Sequence, residues 1–142
     1  MKIAFWKLYF TVSLASFVLT APAAVWSQEA SAPSAGPTLV KAVMCESIQE
    51  LTPVNQAVVF SIDLGRISCF TEFDQVVERT VIYHKWYHKG DLISAKQLSL
   101  NPPRWSSFSS MQLRNIDKGP WQVDITDENS NVMQTLRFSI TD

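Results

Sequence analysis

Two histidines and a run of serines are the first residues of this chain to read for chemistry. His84 and His88 are its only histidines, and Ser106, Ser107, Ser109 and Ser110 crowd the stretch after Trp105. A serine hydroxyl becomes a nucleophile when an imidazole takes its proton and a carboxylate orients that imidazole. His84 with a serine and Asp124 would thus make a small envelope hydrolase. The serines, however, lie in neither a Gly-x-Ser-x-Gly elbow nor a Ser-x-x-Lys pairing. The plainer reading of His84 is a partly buried imidazole hydrogen-bonded to a hydroxyl or backbone neighbour. On an extended strand the offset between His84 and His88 spans about 13 Å, too far to share one ion. A zinc site would need His84 with ligands from other strands, such as Glu72, and no ligand motif is present. The expectation is no catalytic site, no metal site and no cofactor.

Cys45 and Cys69 are the remaining reactive pair. Their spacing is far from the Cys-x-x-Cys of a redox site, and two cysteines alone do not make a zinc site. In an oxidising compartment they allow one intramolecular disulfide, worth about 3 kcal/mol in the chain-entropy model. A bridge is expected, with two buried free thiols as the other reading.

Recognition chemistry is better represented. Arg104 and Trp105 follow Pro102-Pro103, so a guanidinium stands beside an indole after a rigid corner and could stack on a sugar or grip a carboxylate. The alternative is that Trp105 plugs one end of a core while Arg104 pairs with a surface carboxylate. Within Thr80 to Lys89, period two puts Ile82, His84, Trp86 and His88 on one face and Val81, Tyr83, Lys85 and Tyr87 on the other. If exposed, Tyr83, Lys85 and Tyr87 form an amphipathic binding platform.

The compartment follows from the N-terminus. Lys2 and Lys7 mark a basic region, Leu8 to Thr20 is uncharged and mostly apolar, and Ala21-Pro22-Ala23-Ala24 supplies small residues. This is the pattern of a cleaved signal peptide over residues 1–23, with Val25-Trp26-Ser27 as a second cleavage region. Left uncleaved, the run from Leu8 to Val25 approaches the minimum length that spans a membrane. No cysteine stands at the cleavage region to carry a lipid. Residues 24–37 are small and Pro-punctuated, a flexible linker. A periplasmic or secreted domain over residues 38–142 is expected. Losing Lys2 and Lys7 leaves 10 basic residues against 13 acidic, a net charge of −3. Charges of both signs are interspersed, which excludes the clustered cations of a nucleic-acid interface.

The elements that must position these residues read as strands. Gln56 to Leu64 carries Val58, Phe60, Ile62 and Leu64 at period two, and Arg66 to Phe73 follows Gly65. Thr80 to Lys89 and Leu92 to Leu100 flank the turn signal Gly90-Asp91. Trp105 to Leu113 carries Phe108 and Met111. Trp121, Val123 and Ile125 alternate with polar residues, and the polar turn Asp127 to Asn131 precedes Val132 to Ile140, the clearest hairpin in the chain. Gln49 to Gln56, broken by Pro53, reads as a loop or single turn. About seven to eight short strands with turns between them predict a single all-β domain, a small antiparallel β-sandwich of immunoglobulin-like architecture.

The ordered aromatic motifs carry a family likeness. His84-Lys85-Trp86-Tyr87, Pro103-Arg104-Trp105-Ser106-Ser107-Phe108-Ser109-Ser110, Gly119-Pro120-Trp121-Gln122-Val123 and Leu136-Arg137-Phe138 resemble, in order and spacing, the bacterial domain of unknown function 2914. Cys69-Phe70-Thr71-Glu72-Phe73 is similar to the segment that precedes the family's His-x-Trp strand, which extends the resemblance from about Lys41 onward. The likeness implies a β-rich module in bacterial envelope or membrane-attached proteins. It carries over no catalytic residue. Together these readings point to a non-catalytic exported module that binds a protein partner or an envelope glycan, the hydrolase being the alternative. A third reading is an accessory domain whose edge strand augments a partner's sheet.

Overall fold

Alternation of apolar and polar residues sets up nine strands in the computed structural model, which describes residues 36–142. The expected signal peptide (1–23) and nearly all of the expected linker (24–37) lie outside the described residues. The strands are β1 (Thr38–Gln49), β2 (Thr52–Gln56), β3 (Val59–Ser61), β4 (Arg66–Asp74), β5 (Thr80–His88), β6 (Asp91–Leu100), β7 (Trp105–Gln112), β8 (Gly119–Asp127) and β9 (Val132–Thr141). They form a four-stranded sheet, β2-β1-β4-β7, and a five-stranded sheet, β3-β9-β8-β5-β6. This is the all-β sandwich with immunoglobulin-like architecture that the strand pattern predicts. Its ladders are antiparallel except for β3, which runs parallel to β9. Among the described residues no helix is long and apolar enough to cross a membrane.

Register fixes which side chains meet between the sheets. On β5, Ile82, His84 and Trp86 point inward, and on β8 their partners Ile125 and Val123 do the same. From the other sheet, β4 contributes Ile67, Cys69, Thr71 and Phe73, and β7 contributes Ser107 and Ser109 opposite Thr71 and Cys69. The apolar core divides in two. One cluster gathers Trp86, Trp121, Phe138, Ile140, Phe60, Ile67, Cys69, Met44 and Val123, with edge-on contacts of Phe138 to Phe60 and Trp86. The other gathers Phe73, Val76, Ile82, Leu100 and Ile125. His84 lies on β5 between Ile82 of one cluster and Trp86 of the other, so a polar layer separates them.

Three segments depart from the expectation. Gln49 to Gln56 is the end of a hairpin rather than a loop: Ile48 pairs with Pro53 and Gln49 with Thr52. The turn is made by Glu50 and Leu51, both left-handed at φ 48° and 55°. Neither is the Gly, Asn or Asp that usually marks such a turn, so no sequence signal announced it. Pro53 is accepted because β2 is an edge strand. The period-two run from Val58 to Leu64 is also broken up. Only Val59–Ser61 is strand, Ile62–Leu64 is a single 3-10 turn ended by Gly65 at φ 69°, and of that run only Phe60 is buried. Finally, Phe108 faces out at 44% exposure while Ser107 and Ser109 face in.

β1 belongs to two ladders, pairing with β4 through Cys45 and with β2 from Cys45 onward. Its hairpin lies over the outer face of the four-stranded sheet. Leu51, from the hairpin tip, lines a cleft with Glu72, Arg104, Trp105 and Ser106, and Ile48 lines another with Ser68, Phe108 and Ser110. That cover explains why Phe70, which registers with Phe108 on the outward side, is only 2% exposed.

Candidate functional site

His84 is wholly buried and every polar atom around it is matched. Its Nδ1 lies 2.7 Å from Ser109 Oγ and its Nε2 lies 3.2 Å from Thr71 Oγ1. Trp86 Nε1–H donates to Ser109 Oγ at 3.1 Å, and Thr71 Oγ1 donates to the Ser107 carbonyl at 3.3 Å. One assignment satisfies the whole chain: Ser109 donates to Nδ1, and Nε2–H donates to Thr71. The imidazole is therefore the neutral Nε2–H tautomer. Burial pushes its pKa down to about 4, because no carboxylate accompanies it to offset the lost solvation of a cation. The distance to Ser109 is that of a nucleophile and base, but the third member is the Thr71 hydroxyl. Asp124 is on the opposite face of the sheet, since His84 registers with Ile125 and Lys85 with Asp124. Among the described residues, no three of His, Cys, Asp and Glu gather as a metal cluster.

The outward face of the five-stranded sheet holds Tyr83, Lys85 and Tyr87, all half-buried, in the alternation read from the sequence. β8 and β9 extend this face into cross-strand rows: Tyr87 beside Gln122 beside Arg137, and Lys85 beside Asp124 beside Thr135. Asp124 Oδ1 accepts from Gln122 Nε2 and from Thr135 Oγ1, each at 2.8 Å. Lys85 Nζ instead turns to Ser130 Oγ at 3.4 Å, and Tyr83 Oη reaches Gln97 at 3.5 Å. A cleft of about 260 Å³ opens here, lined by Tyr87, Gly90, Pro120, Trp121, Gln122 and Asp124. Its base is rigid. Trp121 is stacked between Phe138 and His88, its centroid 4.5 Å from the imidazole, and its Nε1–H donates to the Asp117 carbonyl at 2.6 Å. Burial opposes ionisation of Asp117, but the hydrogen bonds and charge of Arg114 outweigh it and hold the carboxyl below the usual range.

Arg104 and Trp105 stand on the other sheet. Arg104 is bound to Glu72, Nε to Oε1 at 2.8 Å, with its side chain 56% exposed. Trp105 registers with Phe73 at the end of the core yet keeps 39% of its surface exposed. It therefore closes the end of the sandwich only in part, and with Leu51, Glu72, Arg104 and Ser106 it lines a cleft of about 390 Å³. The two sequence-selected surfaces are on different sheets and do not combine.

Cys45 and Cys69 are both buried and both free, where a disulfide was expected. Met44 is opposite Cys69 and Cys45 is opposite Ser68, so the two cysteines are offset by one position and point to opposite faces of the ladder. A disulfide needs Cβ vectors that converge. Cys45 Sγ donates to the Ser68 carbonyl at 3.6 Å instead, and burial raises both thiol pKa values.

Sequence reasoning named Ser109 only as one of four serines near Trp105 and Asp124 only as a possible triad member; it missed Thr71 as a partner of His84, and Gln122 and Asp124 as walls of the cleft. For the two walls the signal was present, in their alternation with Trp121, Val123 and Ile125. For Ser109 it was hidden, because Phe108 suggests the opposite inward face.

The family model described as a protein of unknown function (DUF2914) matches residues 79–140, the stretch from β5 to β9 that carries the aromatic motifs. It agrees with the resemblance of the motifs from His84 onward, and the match does not reach back over residues 41–78, which hold the similar segment Cys69-Phe70-Thr71-Glu72-Phe73. No curated protein matches the sequence. Among solved structures, the chain is similar to the CARDB domain of the PF1109 protein from Pyrococcus furiosus, solved in complex with di-metal ions. The identity is 14%, the match covers 75% of this chain and 90% of that one, and the TM-score is 0.43.

Proposed function

We propose that this chain is exported to the bacterial cell envelope and acts there as a non-catalytic recognition module, binding a protein partner or an envelope glycan. The observation that carries the reading is the division of its polar chemistry. The one serine–histidine pair is sealed in the core with all its hydrogen bonds satisfied, while aromatic, cationic and amide side chains stand on two outward surfaces beside clefts. Residues of these types, partly desolvated and held on rigid strands, are those that anchor binding interfaces. Export rests on the basic, apolar and small-residue succession of the first 23 residues.

The test is retention of envelope components by the processed chain, using fractionated envelope proteins and insoluble peptidoglycan. Arg104→Ala/Trp105→Ala and Tyr83→Ala/Lys85→Ala/Tyr87→Ala are run beside it. A component held by the wild type and lost by one folded variant supports the reading and locates the surface. If both variants retain all that the wild type retains, the reading fails. The intact mass of protein recovered from the envelope reads cleavage after Ala23 directly.

A further inference from the structure

The cleft beside Tyr87 has the features of a sugar site rather than of a general adhesive patch. Three observations converge there. First, Asp124 uses Oδ1 for both of its contacts, Gln122 Nε2 and Thr135 Oγ1. Its cross-strand neighbour Lys85 is committed elsewhere, to Ser130. Asp124 Oδ2 and Gln122 Oε1 have no protein partner among the described residues. Two side chains locked together in this way present two fixed acceptors, to which a vicinal diol donates with little loss of side-chain entropy. Second, Tyr87 shares a cross-strand row with Gln122, and Asp124 stands in the next row. The C–H face of a pyranose ring is apolar and electropositive, and it packs on the electron-rich face of an aromatic ring. Third, the volume of about 260 Å³ is below the roughly 300 Å³ at which drug-sized sites begin, a size for one ring.

We propose that Tyr87, Gln122 and Asp124 form a binding site for a hexopyranose unit of a glycan, the ring stacked on Tyr87 and two adjacent hydroxyls donating to Asp124 and Gln122. This rests on the reading of the domain as a recognition module and names its ligand class. A peptide is the less suitable occupant. The cleft lies on a sheet face, away from the free strand edges where main-chain pairing would supply affinity, and Asp124 and Gln122 supply paired acceptors. The lining of the cleft holds a carboxylate and no cation, so an anionic headgroup has no dedicated partner in it.

The experiment is an NMR titration of the ¹⁵N-labelled processed chain with cellotetraose, maltotetraose and chitotetraose, with tetra-alanine as the peptide arm. At least one saccharide is expected to shift the amides of Tyr87, Gln122 and Asp124 saturably. Asp124→Asn keeps an acceptor for Gln122 and Thr135 but removes the charge, and it weakens binding by about tenfold or more. Tyr87→Ala weakens it comparably. If Tyr87→Ala fails to give a folded spectrum, Asp124→Asn alone decides. Three results would overturn the proposal: no saturable shift with any saccharide, shifts centred on Trp105, or displacement to this cleft by tetra-alanine alone. Should sugars fail while the Arg104/Trp105 variant still loses an envelope component, the sugar site falls and the recognition module stands.

Discussion

Protonation of His84 sets a specific acid sensitivity. In the folded domain the imidazole is neutral, and its pKa is pushed down by burial to about 4 from an ordinary 6.5. Between those values the unfolded chain binds a proton that the folded chain refuses, so stability rises with pH across this window. The contribution is complete above pH 6.5, declines as pH falls toward 4 and is flat for this group below that. The difference between 4 and 6.5, at about 1.4 kcal/mol per pH unit, makes the loss about 3 kcal/mol. Nothing near the ring offsets it. Thr71, Ser109 and Trp86 are uncharged, and the cross-strand neighbour on β6 is Lys96, a like charge. The assay is urea denaturation at intervals from pH 7.5 to 4, comparing wild type with His84→Gln, which keeps a donor and an acceptor but does not titrate. The wild type should lose about 3 kcal/mol more than the variant across the window, with unchanged m-values. Parallel pH dependence in the two proteins, or an NMR-detected imidazole pKa above 6 in the folded state, would refute the account of a sealed neutral histidine.

The same layer predicts that Ser109→Ala, which strands His84 Nδ1 and the Trp86 indole N–H together, destabilises by roughly 2–4 kcal/mol in chemical denaturation. Ser110→Ala on the outward side should cost clearly less. Thr126 Oγ1 is buried without a partner, so Thr126→Val should be neutral or stabilising by about 1 kcal/mol, read as a shift in urea midpoint at constant m. The ladder register predicts that Cys45 and Cys69 are thiols in the native protein. A thiol reagent should find neither in the native state and both after unfolding, whereas an intact mass two hydrogens lighter would show that a bridge forms.

Fold class was legible because strand alternation is a local property: a side chain at every second position faces the core whatever the sheet order. That periodicity put Trp86 and His84 on one face of β5 and Tyr83, Lys85 and Tyr87 on the other, and both hairpins, β5–β6 and β8–β9, at their turns. It failed where an apolar residue sits on the outward face under cover, as Phe70 does beneath the β1–β2 hairpin, or where a turn uses residues such as Glu50 and Leu51 that carry no turn signature.

The sequence by itself determined the two-residue period, the polar turns and therefore the sandwich; it also determined which residues of β5 share a face. Only the tertiary structure decided what they meet. Whether Cys45 and Cys69 converge depends on a one-residue offset between β1 and β4, and whether Ser109 or Phe108 enters the core depends on the register of β7 against β4. The partners of His84 come from three strands, and the walls of the Tyr87 cleft from strands whose order the chain does not spell out. The physical reason is that a strand's own pattern fixes its two faces, whereas register and neighbour are fixed by pairing energies between segments distant in sequence.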